Sequence, residues 1–366
     1  MRHLTPLLLL CACTSQPWVV SESDGLIRLD TTDTSGRTGF VTFDIPVPAG
    51  RNQMLFAASV EYPERAFVRS LESPDGEIVY DSEVIYAGVH TVTGAIAPRS
   101  TTTLNYPILE DDTELYAGTW HARVGVIELN NNYIKGIGVS ARALFKDDSS
   151  DTSGTLAVNI FYAGQTRQDP DWVAATEAAV ETWHTLYEPL NIDLQIEYFD
   201  SDETALRSPT SGSREEYEGI SAQTPDRSIN VVLIEAIEDD PGLYGIAGGI
   251  PGPLGSSSNS AIIVSMSVNA GPDGVYDDQE VRLLAETFAH ETTHFLGVFH
   301  PVEGGWEAWD SLDDTPECST QIACLSAFSD AMMFPYPICD TAGVCEPQTV
   351  ITDEQVLLAH RHVGVD

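Results

Sequence analysis

The run His290-Glu291-Thr292-Thr293-His294, followed at fixed offsets by Gly297 and His300, restricts this chain more than any other stretch. Histidines four residues apart lie on one face of an α-helix about one turn from each other, so both imidazoles can address a single point. A glycine three residues on can adopt the left-handed conformation that ends a helix. The chain can then turn back and bring in a third imidazole, which a continued helix would carry away. The pattern therefore requires a helix, a break at Gly297 and a return. Val281, Leu284, Phe288 and Phe295 give this helix an apolar stripe, and Asp277 with Glu280 has the spacing of a capping box at its start.

Those residue types also restrict the chemistry. Neutral imidazole nitrogens suit zinc better than calcium or magnesium. Three protein ligands leave one position open for water, which separates a catalytic zinc site from a closed structural one. His290, His294 and His300 are the candidate ligands, and Zn2+ is the expected cofactor, as one catalytic ion. Glu291, next to the first of them, is placed to accept a proton from water and is the candidate catalytic residue.

Periodicity divides the rest of the chain in two. From about Leu26 to Phe145, short alternating segments such as Gly39–Ile45, Ala66–Leu71 and Gly118–Ile127 are separated by turns. An antiparallel β-sandwich over 25–146 is expected. It carries no catalytic constellation, and its expected role is folding and spacing, or the binding of substrate or carbohydrate. The acidic, small-residue stretch 147–154 reads as a linker. Beyond it, strands are expected at Thr155–Tyr162, Ile192–Phe199, Ser228–Ile234 and Ala261–Ser265, with a helix at Asp171–Tyr187. That order gives an α/β domain over 155–366 with a twisted mixed sheet ahead of the histidine helix, and an α+β multidomain chain overall. The glycine-rich loop Gly242–Ser258 matches no phosphate-cradling pattern.

The first residues, 1–13, have the layout of an export signal, with Arg2 followed by apolar Leu7–Leu10. Leu10-Cys11-Ala12-Cys13 resembles the bacterial lipobox, which implies lipidation of Cys13 and tethering at the outer membrane or cell surface. An ordinary cleaved signal, giving a periplasmic or secreted protein, is the alternative. Four further cysteines, Cys318, Cys324, Cys339 and Cys345, make an even set suited to two disulfides in an oxidising compartment. Three connectivities are open, and the local pairs Cys318–Cys324 and Cys339–Cys345 are preferred. Lys and Arg number 17 against 56 acids, a net charge of −39, which excludes a phosphate backbone as partner.

Taken with Gly297, the histidine motif resembles that of the metzincin metallopeptidases, in which three histidines bind zinc and the glutamate is the general base. That family has a methionine turn beneath the metal. Ser329-Asp330-Ala331-Met332-Met333-Phe334-Pro335 occupies its place, with Met333 at the turn position. Asp313-Asp314-Thr315-Pro316 resembles an element of the pappalysin-like branch. The likeness covers roughly 155–366 and departs from that branch at Ala331 and Pro335. It implies a zinc endopeptidase acting on a protein or peptide laid along an edge strand, Ala261–Ser265, with the Gly242–Ser258 loop bordering the cleft. The alternative is a non-catalytic surface binding protein with a structural metal. The acidic run Asp310–Asp314 is a candidate Ca2+ site. His360 and His362, two residues apart, read as surface histidines on different faces of a helix. Membrane contact is expected through the lipid anchor only, and oligomeric state stays open.

Overall fold

A computed structural model describes residues 17–366 except 24, 84–89, 147–151, 165, 202–219, 223, 226, 256 and 258. The expected signal segment with Cys13, and most of the expected linker, lie outside the described residues.

Among the described residues, ten strands precede the linker: β1 (Val19–Ser23), β2 (Leu26–Thr34), β3 (Phe40–Val47), β4 (Gln53–Ser59), β5 (Arg65–Glu72), β6 (Ile78–Asp81), β7 (His90–Thr91), β8 (Thr101–Tyr106), β9 (Gly118–Ile127) and β10 (Gly138–Lys146). Nine of them form two antiparallel sheets, ordered β1-β2-β10-β4-β8 and β3-β9-β5-β6. Alternation explains how they meet. Along β3, Val41, Phe43, Ile45 and Val47 are buried while their neighbours are not, as a strand with one covered face demands. Phe43 of one sheet packs on Phe56 of the other, ring centres 6.1 Å apart, and Tyr106 packs on Trp120 at 5.3 Å. One strand breaks this pattern. β8 is a sheet edge, yet all six of its residues are buried.

The second half begins with β11 (Gly154–Ala163), then α1 (Pro170–Tyr187), β12 (Ile192–Ser201), β13 (Ile229–Ile234), β14 (Gly245–Ala247), β15 (Ile262–Ser265), the single turn α2 (Met266–Asn269) and α3 (Asp278–Phe295). β12, β11, β13 and β15 are parallel neighbours, and β14 closes the sheet antiparallel to β15. This corrects the expected cleft edge. Ile262–Ser265 is interior, because the glycine-rich loop folds back on it and presents Gly245–Ala247 as the free edge instead.

Helix α1 is capped by Asp169 and seats α3: Trp183 lies 5.4 Å from Phe288, and Tyr187 Oη meets Thr293 Oγ1 at 3.0 Å. Downstream, β16 (Trp309–Asp310) pairs in parallel with β7, and α4 (Gln321–Phe328) and α5 (Asp353–Arg361) complete the chain. The cysteines join as the preferred local pairs, Cys318–Cys324 and Cys339–Cys345.

His360 and His362 are not on the surface. Both are fully buried: His360 Nε2 donates to Leu190 O at 2.7 Å and His362 Nε2 to Gly252 O at 3.1 Å. Their spacing does place them on different faces, but the end of α5 is covered on both. Lys146 Nζ, buried at the end of β10, donates to His360 O and Val365 O, and Arg142 Nη1 reaches Leu254 O at 3.1 Å. One continuous apolar cluster contains residues of both halves, from Leu26 to Val365. No helix among the described residues is long and apolar enough to cross a membrane.

Candidate metal centre

Asp277 caps α3, accepting from the amides of Gln279 and Glu280. At the other end the helix stops where the glycine stands. Gly297 has φ of +115°, its amide donates to His294 O, and the Val298 amide donates to Thr293 O. These paired closing bonds are those of a Schellman turn, which requires a residue tolerant of positive φ. His300 is thereby swung back over the helix.

The three rings converge. His300 Nε2 lies 3.0 Å from His294 Nε2 and 3.2 Å from His290 Nε2. The far side of each ring is held. His290 Nδ1 donates to Met332 O at 2.8 Å, His294 Nδ1 to Val298 O at 2.7 Å, and His300 Nδ1 faces Glu303 Oε2 at 3.1 Å. Carbonyl and carboxylate oxygens only accept, so each Nδ1 carries a proton and each Nε2 is the ring nitrogen turned inward. Burial and the neighbouring imidazole push His290 down to about 3, and burial holds His294 well below its ordinary value, so these rings are neutral near pH 7. The bare Nε2 atoms of His290 and His294 then face the inward Nε2 of His300, an arrangement that a bound cation suits. Nitrogens tetrahedrally placed about 2.0–2.1 Å from zinc are separated by about 3.3 Å, close to the spacing found. The donor set fits zinc. Among the described residues, these histidines are the group of three or more His, Cys, Asp or Glu side chains gathered tightly enough to hold a metal.

Glu291 is buried and accepts a hydrogen bond from the Ala247 amide. Burial pushes its carboxyl up to about 8, against that bond. The strand can come so close because residue 245 is glycine: a Cβ there would stand 2.8 Å from Glu291 Cγ. In β14, Tyr244 O and the Gly248 amide bond to β15, so the alternation of an antiparallel ladder turns the backbone groups of Gly245 and Ala247 to the open side.

An open cleft of about 220 Å³ lies beside His290 and Glu291, walled by Leu243, Tyr244, Leu283 and Phe334 among others. Glu286, one helical turn before His290, also lines it. One of its oxygens takes Arg282 Nη1 at 2.6 Å and the Gln348 amide at 3.2 Å; the other, Oε2, is buried without a partner. Burial raises this carboxyl despite Arg282.

Met333, the expected turn methionine, is fully buried in the shared core, but the contact with the triad is made by the carbonyl of Met332. The expected calcium run does not gather a ligand set. Asp310 Oδ1 accepts from Thr315 Oγ1 and the Leu312 amide, while Asp314 accepts from the Glu354 amide. Sequence reasoning missed Glu303, which its place three residues after His300 could have signalled, and Glu286, one turn before His290. It also missed the carbonyls of Met332 and Val298 and the Ala247 amide, which no residue type encodes.

No protein-family model matches the chain, and comparison with curated proteins finds no match. Among solved structures, archaemetzincin from Methanopyrus kandleri is similar at TM-score 0.27 and 14% identity, over 42% of this chain and 78% of that one. Metalloproteinase-II from Bacteroides fragilis is similar at TM-score 0.30 and 11% identity, over 55% of this chain and 64% of that one. A carbohydrate-binding module of Caldicellulosiruptor saccharolyticus, in complex with mannohexaose, is similar at TM-score 0.20 and 13% identity, over 37% of this chain and 85% of that one. Likenesses this slight leave the functional argument to the site's own geometry.

Proposed function

We propose that this chain is a zinc-dependent endopeptidase of metzincin type, with an N-terminal β-sandwich joined to the catalytic half. The observation that carries the reading is the convergence of three Nε2 atoms, each with its Nδ1 committed elsewhere. A zinc ion held by His290, His294 and His300 would supply Lewis acidity at the scissile carbonyl and lower the pKa of a water toward about 7. Glu291 takes the proton from the attacking water and returns it to the leaving amine. Burial beside the triad and the bond from the Ala247 amide hold its carboxyl in one orientation for that transfer. The free edge of β14 offers backbone hydrogen bonds to an extended peptide, and the cavity receives a side chain next to the cleaved bond.

A binding protein with a structural metal is the weaker reading. Structural zinc sites are closed by four protein ligands, whereas this triad has three and borders a cavity with a buried acid beside it. Export and lipid attachment through Cys13 complete the proposal, and loss of membrane fractionation in Cys13→Ala would support them. The decisive experiment measures zinc content and cleavage of unfolded protein by wild type and Glu291→Ala, with and without a chelator. Zinc-dependent cleavage lost in the variant is expected; equal products from both would refute the catalytic assignment.

A further inference from the structure

We propose that the N-terminal half is a working part of the hydrolytic site, with Arg99 as a positioning residue for the strand that meets Glu291. The inference rests on the hydrolytic reading above and starts from the anomaly of β8.

A sheet edge is normally wet or covered deliberately. Here β8 is buried throughout, and its sequence Thr101-Thr102-Thr103-Leu104-Asn105-Tyr106 alternates in a telling way. Leu104 and Tyr106 belong to the apolar cluster. Thr103 and Asn105 point the other way, toward the second half. Thr103 Oγ1 donates to Pro251 O, and Asn105 lies against Gly297, where a Cβ would stand 3.5 Å from its Nδ2. Thr103 thus meets the segment leaving β14, while Asn105 faces the turn that ends α3.

The segment is gripped at successive residues. Arg99 Nη1 donates to Gly248 O at 3.0 Å, beside Asn259 Nδ2, which donates to the same oxygen at 2.9 Å; the Gly94 amide donates to Ile250 O at 2.5 Å, and Thr103 follows at Pro251. From its other side the Gly252 amide donates to Phe295 O at 2.8 Å, in the last turn of α3. The segment is therefore a wedge between the N-terminal sheet and the helix end that carries the second histidine. Its upstream neighbour is Ala247, whose amide holds Glu291. Arg99 is itself rigidly placed, because its backbone exchanges both hydrogen bonds with Ala66 of β5, at 2.7 and 2.9 Å.

The consequence is a short relay of fixed positions: β5 holds Arg99, Arg99 holds the carbonyl of Gly248, and the adjoining Ala247 amide orients the proton-transferring acid. The same grip holds the β14 edge in place for a peptide. A side chain that acts through backbone in this way should alter turnover without altering metal binding, since each histidine has its own acceptor.

The test uses the full chain and three variants: Arg99→Ala, Arg99→Lys, and Arg65→Ala as a control. Arg65 lies in the same half and donates to Glu128 O and Leu129 O, away from the wedge. For Arg99→Ala we expect kcat to fall about tenfold, the scale of one lost charge-assisted hydrogen bond, with zinc affinity unchanged. Hydrogen exchange at the Ala247 and Gly248 amides should quicken by a similar factor. Arg99→Lys should recover part of both effects. Arg65→Ala should leave kcat and those two amides as in wild type, whatever it does to the melting temperature. A folded Arg99→Ala with wild-type exchange and kcat would overturn the proposal, as would an equal loss of kcat in Arg65→Ala. If the wild-type chain binds zinc and cleaves nothing, the hydrolytic reading falls, and the exchange comparison alone decides whether Arg99 holds the strand.

Discussion

Replacing Gly297 by alanine probes the turn on which the third imidazole depends. At φ of +115° a residue with a Cβ is strained by about 2 kcal/mol. The new methyl adds no steric cost, since its nearest neighbours would be Asn105 Nδ2 at 3.5 Å and Pro251 Cβ at 3.8 Å, ordinary contact distances. The strain has two outlets. If the turn keeps its shape, the metal-free protein loses the full 2 kcal/mol, a few degrees in melting temperature for a chain of this size, and zinc affinity is unchanged. If the turn relaxes instead, His300 moves away and the strain reappears when zinc binds, as an affinity loss of about thirtyfold. The two losses should therefore sum to about 2 kcal/mol, read from melting of the metal-free chain and from zinc titration against a chromophoric chelator. Gly274→Ala is the control: φ is +73° with open space around it, so it should lower the melting temperature alone. A Gly297→Ala chain that matches wild type in both measurements would refute the account of the turn.

Three other outcomes are expected. Glu303→Ala removes the carboxylate behind His300 Nδ1 and should weaken zinc binding about 10- to 100-fold with little change in the melting temperature of the metal-free chain, checked by the same titration. Glu286→Gln neutralises the acid that lines the cavity with one unpaired oxygen; cleavage-site profiling should find that peptides with a basic side chain next to the cut lose about tenfold in kcat/KM relative to leucine peptides. Asp310, buried beside Asp314 and Glu354, has its carboxyl pushed up to about 7 by desolvation, against the Thr315 hydroxyl. Because the folded state then binds a proton that the unfolded state has released, stability should fall as pH rises from about 4 to about 7. Asp310→Asn should flatten that slope in urea titrations of the metal-free chain, and an unchanged slope would show that the acid titrates normally.

The local elements were open to reading because their patterns are short-range. The strand at Gly118–Ile127, both long helices and the histidine set at the end of α3 follow from alternation, capping and spacing, each confined to a short stretch of chain. The misjudged features depend on what lies opposite. Ala261–Ser265 looks like an edge until the glycine-rich loop pairs with it. His360 and His362 look exposed until Leu190 and Gly252 close over them.

Residue type alone determined which ligand set this chain can offer a metal. Imidazoles on adjacent turns of a helix, with a glycine to break it, are defined by covalent spacing and helix geometry, so they need no other part of the protein to be legible. Tertiary structure decided the rest, because backbone groups have no residue identity. The carbonyls that fix two ring tautomers, the amide that holds Glu291 and the wedge gripped by Arg99 and Thr103 exist only once segments as far apart as residues 99 and 248 meet.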